Sequence, residues 1–228
     1  MPSDAEADAL LLGRLPLFRG VPDRVVERLL RRRHPVAYRE GEVIFQEGDP
    51  ASRLHVVLAG VVKIVRGRKD GREVLLDIVK CGETIAECAF CASEFHSFSA
   101  EAVTPCRLLG IDVDAISTCL REETAFGSVL LRVQQRHFEL LMDQVEQMKL
   151  MTGAQRVGRF MLRHTEGGDG EVAFDLPYEK ALIASLLGMN PETFSRVLAQ
   201  LRKRGVRVEG RRVVIASVAR LAQFVDRG

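Results

Sequence analysis

Residues able to read a nucleic-acid base lie close together near the C-terminal end of the chain. Glu192, Thr193, Ser195, Arg196 and Gln200 fall on one side of a helical pattern that opens at Asn190-Pro191, and Arg202 and Lys203 follow at its end. An arginine can form a bidentate pair with guanine O6 and N7, a glutamate can accept from a cytosine N4 amino group, and a serine gives an adaptable polar contact. The preceding helix stops at Gly188, so two helices meet across a turn of two or three residues, a spacing suited to packing near a right angle. Ala184 is small enough to let the second helix approach, while Ile183, Leu186, Phe194, Val197 and Leu198 supply apolar inner faces. Asn190 suits an N-cap and Pro191 a first helical position.

Charge favours a polyanionic partner for this end of the chain. The net charge of +2 is a cancellation: residues 151–228 carry 13 Lys and Arg against 8 acids, or +5, and residues 1–150 carry 20 against 23, or −3. Beyond Gly205, Val206–Val208 and Val213–Ile215 flank Glu209-Gly210-Arg211-Arg212, a hairpin wing presenting Arg211 and Arg212. Cations so placed neutralise phosphates, the sequence-independent part of DNA affinity and the source of its salt dependence. A turn, a polar recognition face and a wing together predict double-stranded DNA as partner.

Other classes are excluded by composition and by what is missing. With 46% hydrophobic residues over 228 positions the chain is neither disordered nor, lacking a long apolar run, membrane-spanning. The acidic start, Met1-Pro2-Ser3-Asp4-Ala5-Glu6, is no secretory signal, which leads us to expect a cytoplasmic protein. No Gly-rich phosphate loop, nucleophile motif or His-Glu-x-x-His is present, so no enzyme is expected. Five cysteines, an odd number, are then reduced thiols, metal ligands or redox sensors.

The elements that must position these residues fall into three segments. Residues 1–121 hold short β-branched runs at 36–38, 43–45, 54–58, 61–65, 74–79, 99–103 and 107–111, separated by turn signals at Gly41, Gly48, Gly60, Gly71 and Gly82. Such spacing without intervening helices predicts an antiparallel barrel or sandwich, preceded here by N-terminal helices. Residues 122–152 read as one long helix. A 3-4 seam runs through Leu131, Gln134, Phe138, Leu141, Val145 and Met148, with Leu130, Val133 and Leu140 off it. Two apolar stripes need two partners, one a twin helix and the other the barrel. Residues 153–228 are mostly helical, with helices expected at 154–164, 178–187 with Pro177 in its first turn, and from Asn190, and a terminal hairpin.

Nearly the whole chain resembles the CRP/FNR superfamily of bacterial transcription regulators. The residues that carry the resemblance are Gly41-Glu42-Val43-Ile44-Phe45-Gln46-Glu47-Gly48-Asp49, Leu58-Ala59-Gly60-Val61-Val62-Lys63-Ile64 and Gly82-Glu83 in the first segment, and Leu187 to Arg196 in the last. The resemblance implies an α+β chain: an N-terminal antiparallel β-roll of the cyclic-nucleotide-binding, jelly-roll kind, a long dimerisation helix, and a C-terminal winged helix-turn-helix. Glu192, Ser195 and Arg196 match the E-x-x-S-R form of the FNR type, which implies TTGAT half-sites in an inverted repeat. A homodimeric activator working with RNA polymerase is implied as well.

The effector is less plainly written. No arginine stands between Arg72 and Arg107, and His96 occupies the place where the resemblance leads one to expect the arginine that holds a cyclic phosphate. Cyclic-nucleotide control is therefore the weakest reading. Similarity to the nitric-oxide-responsive Dnr branch implies haem in the β-roll, with His34, His55, His96, His137 and Cys88 as ligand candidates. The alternative is a redox or oxygen sensor in which Cys81, Cys88, Cys91 and Cys106 form an iron–sulfur or thiol switch. The effector pocket is expected around Gly82, Glu83, Glu87, Cys88, Cys91, His96, Ser97 and His137, with the metal, if any, unassigned.

Overall fold

The structure, a computed structural model, describes residues 15, 18–30, 34–86, 94–165 and 170–226. Helix α1 (Asp23–Leu30) precedes strands β1 (Val36–Tyr38), β2 (Val43–Phe45), β3 (Arg53–Ala59), β4 (Val61–Gly67), β5 (Glu73–Lys80), β6 (Thr84–Ile85), β7 (Ser99–Ala102) and β8 (Cys106–Asp112). Helices α2 (Val113–Glu122) and α3 (Thr124–Leu150) follow. The remainder is α4 (Gly153–Leu162), β9 (Val172–Asp175), α5 (Lys180–Leu186), α6 (Pro191–Arg202), β10 (Val206–Glu209), β11 (Arg212–Ile215) and α7 (Val218–Val225). Two compact units result, Met1–His137 and Phe138–Gly228.

In the first unit two antiparallel sheets, ordered β1-β8-β3-β6 and β2-β7-β4-β5, share one interior. Successive side chains of a strand point to opposite faces, and both faces of β3 are covered. Val57 joins Phe45, Val62, Ile64 and Leu108 inside the roll, while Leu54, Val56 and Leu58 meet the helical layer of Val25, Leu29, Ile116, Phe126, Val129 and Leu130. This is why the 54–58 run is continuously apolar rather than alternating. Gly60 closes the β3–β4 turn at φ +85°, where a Cβ would stand 2.5 Å from the Pro105 carbonyl oxygen. No side chain fits there.

Helix α3 carries both predicted stripes. Val129, Leu130 and Val133 are buried, whereas Leu131, Phe138, Leu141, Val145 and Met148 of the seam are between 46% and 72% exposed. Gln134 is half-buried. Leu140 is a correction: it is exposed, because the covered stripe ends at Val133. No helix among the described residues is long and apolar enough to cross a membrane.

Three further differences have local causes. The first helix of the turn motif starts at Lys180, with Glu179 as N-cap, and Pro177 lies outside it. The chain does not end on the hairpin: Ser217 caps α7 by accepting from the Arg220 N–H at 3.3 Å. Helix α2 and the two-residue β6 went unforeseen in the sequence.

Inside the roll the Phe45 ring stacks on His96 at 3.7 Å between centroids and also faces His55 at 5.6 Å. Burial pushes the His55 imidazole down from 6.5 to about 4, with His96 and Arg53 adding to the effect. Burial lowers His96 too, against the opposing pull of Asp49. A base so depressed leaves stability complete above the unfolded value of 6.5 and erodes it as pH falls towards about 4, by up to about 3 kcal/mol. Urea unfolding of wild type and His55→Leu across that window should give a steeper loss for the wild type; parallel curves would contradict the assignment.

Candidate nucleic-acid interface and effector domain

The turn motif is built as its sequence dictates. The Asn190 side chain accepts from the Thr193 N–H at 2.8 Å and Pro191 occupies the first turn of α6. Phe194, Val197 and Leu201 are buried beneath the helix with Ile183 and Ala184 of α5, while Leu186 and Leu198 are only half-buried. Leu201 lies outside the set of apolar positions expected for the inner face.

Glu192, Ser195, Arg196, Gln200, Arg202 and Lys203 are all exposed, and Thr193 is half-buried. The Arg196 Nη2 donates to Thr193 Oγ1 at 3.1 Å, so the N-cap, Thr193 and the arginine form a chain of contacts that orients the guanidinium before any ligand arrives. Thr193, Gln200 and Lys203 lie on the flank of α6 nearest the 152–154 segment, away from the crest occupied by Glu192, Ser195 and Arg196.

The wing is a three-stranded sheet, ordered β10-β11-β9, with Glu209 opposite Arg212 and Gly210-Arg211 as its two-residue tip. Its arginines are tethered at the base. Arg211 Nη2 donates to the Leu176 carbonyl at 2.8 Å and its Nη1 lies 3.5 Å from Glu179, while Arg212 pairs with Asp175 at 3.4 Å.

One arginine outside the predicted set joins the helices together. Arg156 on α4 donates from Nη1 to the Met151 carbonyl at 2.9 Å and from Nε to the Leu187 carbonyl at 3.1 Å. It thereby ties the end of α3 to the end of α5, satisfying a carbonyl at each terminus. Next to it, Gly188 adopts φ +66° with Met148 Sδ and Cε 3.4 Å from where a Cβ would sit. No residue pattern marks Arg156, since both partners are backbone oxygens.

Five of the expected effector residues, Gly82, Glu83, His96, Ser97 and His137, are among those described. Gly82 N–H donates to the Val57 carbonyl and the Val57 N–H to the Glu83 carbonyl, so Gly82 and Glu83 hold a turn against β3. His96 is buried against Phe45. Ser97 accepts at its carbonyl from Arg66 Nε at 3.0 Å, an arginine of β4 that sequence spacing could not place here. His137 is half-buried on α3 and lies near Asp77 of β5, whose carboxyl is raised by burial; His137 opposes that rise. Glu87, Cys88 and Cys91 lie outside the described residues.

Among the described residues neither cofactor expectation finds a ligand set. His55 and His96 each stack on the Phe45 ring, His34 is exposed and His137 is half-buried on α3. Cys81 is exposed with its thiol on the Leu58 carbonyl, Cys106 is buried, and Cys119 is buried with its sulfur 3.1 Å from Arg28 Nη2. Among the described residues no group of three or more His, Cys, Asp or Glu could hold a metal ion.

Comparison with known proteins agrees with this division of labour. Residues 35–123 match the cyclic nucleotide-binding domain and residues 155–224 the Crp-like helix-turn-helix domain. A relative from Mycobacterium tuberculosis, named a CRP-like cAMP-activated global transcriptional regulator, is 31% identical over 93% of this chain and 97% of its own length. A solved Ruegeria pomeroyi DSS-3 protein, described as a candidate cyclic nucleotide binding protein, is 32% identical, with a TM-score of 0.67 over 98% of this chain and 99% of that one. The crystal structure of DNR from Pseudomonas aeruginosa is 28% identical, with a TM-score of 0.54 over 95% of this chain and 96% of that one.

Replacing Arg156 by Met leaves two helix-terminal carbonyls without their shared donor and should destabilise the C-terminal unit by about 1–3 kcal/mol. Thermal unfolding of Arg156→Met beside Arg159→Met, which gives up only a 3.9 Å contact to Met151 Sδ, measures this. Equal losses would remove the clamp role.

Proposed function

Because this chain belongs to the CRP/FNR family of DNA-binding transcription regulators, with an effector-binding domain ahead of its helix-turn-helix, we propose that it acts as a homodimer reading a TTGAT inverted repeat. It is a regulator, not an enzyme. The observation that carries the proposal is the exposed α3 seam together with the pre-oriented Arg196. A twin helix laid on Leu131, Phe138, Leu141, Val145 and Met148 relates two copies by a two-fold axis, and two-fold proteins read inverted half-sites about one helical turn apart.

In the contact set we assign, Arg196 pairs with guanine, Glu192 with a cytosine amino group, and Ser195 with the neighbouring base. Thr193 holds Arg196 in place. Gln200, Arg202 and Lys203 meet phosphates on the α6 side, and Arg211 and Arg212 meet them on the wing side. Such a protein works in the cytoplasm as an activator that places RNA polymerase at a promoter.

The effector acts through the β-roll. An effector shifts a two-state equilibrium only through differential affinity for the two states, and here the states differ in how the α3 seam is packed. The nitric oxide and haem reading rests on the likeness to DNR and on the E-x-x-S-R recognition helix. The described histidines do not support it, and neither do the described cysteines support the iron–sulfur alternative. A cyclic nucleotide gains from the domain match, from the Mycobacterium relative and from Arg66, which brings a guanidinium to the 97 carbonyl. It moves ahead of the other two. Equilibrium dialysis with cyclic AMP, beside an absorption spectrum of protein purified without oxygen, separates the three.

Fluorescence anisotropy on a labelled TTGAT inverted repeat tests the DNA assignment. Arg196→Ala should lose discrimination against a scrambled site, by about 1–3 kcal/mol, whereas Lys203→Ala should chiefly flatten the salt slope, by about one unit. Leu141→Glu should abolish dimerisation and weaken operator binding about 100-fold. A fully active Leu141→Glu, or equal loss of discrimination in the two other variants, would sink the reading.

A further inference from the structure

Two adjoining cavities of about 820 and 770 Å³ lie within the C-terminal unit and share Thr152, Lys203, Arg204 and Phe224. Together they form a groove from the segment after α3, along the flank of α6, to the first turn of α7. Three cations line it, Lys203, Arg204 and Arg220, and no acidic residue does. Among the described residues none of the three makes an ion pair, in contrast to Arg211 and Arg212 on the wing. Arg204 is held by the Phe224 ring, its guanidinium carbon 3.9 Å from the ring centroid. Arg220 stands in the first turn of α7, beside the Ser217 cap. A cation at the positive end of a helix is electrostatically misplaced, and it gains a purpose only when an anion arrives.

We propose that this groove is a second ligand site, for a small phosphorylated anion of nucleotide size. Its volume lies in the range of small-molecule sites. Arg220 takes the phosphate oxygens, Arg204 closes on them from its perch on Phe224, and the Thr152 hydroxyl supplies a polar wall. The only other evident source of phosphate is operator DNA. Lys203 serves the operator phosphates assigned above, whereas Arg204 and Arg220 border the recess beside α7, whose lining includes none of Glu192, Ser195 and Arg196. Because one wall is the segment joining α3 to α4 and the other is the flank of α6, an occupant fixes the angle between them and changes operator affinity. The site is separate from any effector in the β-roll and does not depend on the reading of that effector.

Isothermal titration of the full chain with ADP, and with inorganic tripolyphosphate, at fixed ionic strength tests this. We expect saturable binding with Kd below about 1 mM, weakened at least about tenfold by Arg220→Gln, kept by Arg220→Lys, and unchanged by Arg196→Ala. Operator binding by Arg220→Gln without the probe should equal that of the wild type. Amide shifts in the wild type, read without any substitution, should move at 203–205 and 217–220 and not at 192–196. Binding that fails to saturate, shifts centred on 192–196, or loss of operator affinity in Arg220→Gln alone would each overturn the proposal, the last two by assigning these cations to the DNA backbone.

Discussion

Leu131, Phe138, Leu141, Val145 and Met148 stand in line on α3 with most of their surface in water. Each buried Å² of such surface is worth roughly 25 cal/mol, so a helix that leaves five large side chains uncovered carries a standing drive towards a second apolar surface. Scattered exposed hydrophobics need no explanation, but a contiguous seam at helical spacing does. A copy of the same helix satisfies it with the same residues on both sides, and that symmetry propagates. In the proposed dimer two winged helices would be two-fold related, and the DNA they read would repeat in inverted order.

In the proposed mechanism the same helix is also the route by which a ligand event reaches DNA. At its start, Val129, Leu130 and Val133 are sunk into the helical layer of the first unit, and His137 lies near Asp77 on the β4–β5 hairpin. At its end, Met148 rests against Gly188 and Arg156 ties the Met151 carbonyl to that of Leu187. A helix gripped at both ends cannot shift its seam without moving what grips it. Close-packed interiors respond to such shifts by switching arrangement rather than by deforming smoothly.

Much of this was legible from local sequence. The β-branched runs gave seven of the strands, and Asn190-Pro191 marked the start of α6 because capping chemistry is local. The two stripes of α3 were visible as periodicity. What escaped was decided by tertiary contact. Leu140 matches the buried stripe in spacing yet stands exposed. His96 aligns with an arginine position but folds inward onto Phe45, and Arg66, distant in sequence, reaches the segment beside it. Arg156 contacts backbone oxygens only, so no residue pattern announces it. The haem and cysteine readings came from resemblance and residue inventory, and the described side chains bring together no ligand set for either.

Dimerisation through the seam is the claim on which the others rest, and mass measures it most directly. Sedimentation equilibrium of the full chain, alone and with one TTGAT inverted-repeat duplex, should give a particle of twice 25.4 kDa, or about 51 kDa, and two chains per duplex. A 25.4 kDa monomer that occupies an isolated half-site as tightly as the full repeat would contradict the account.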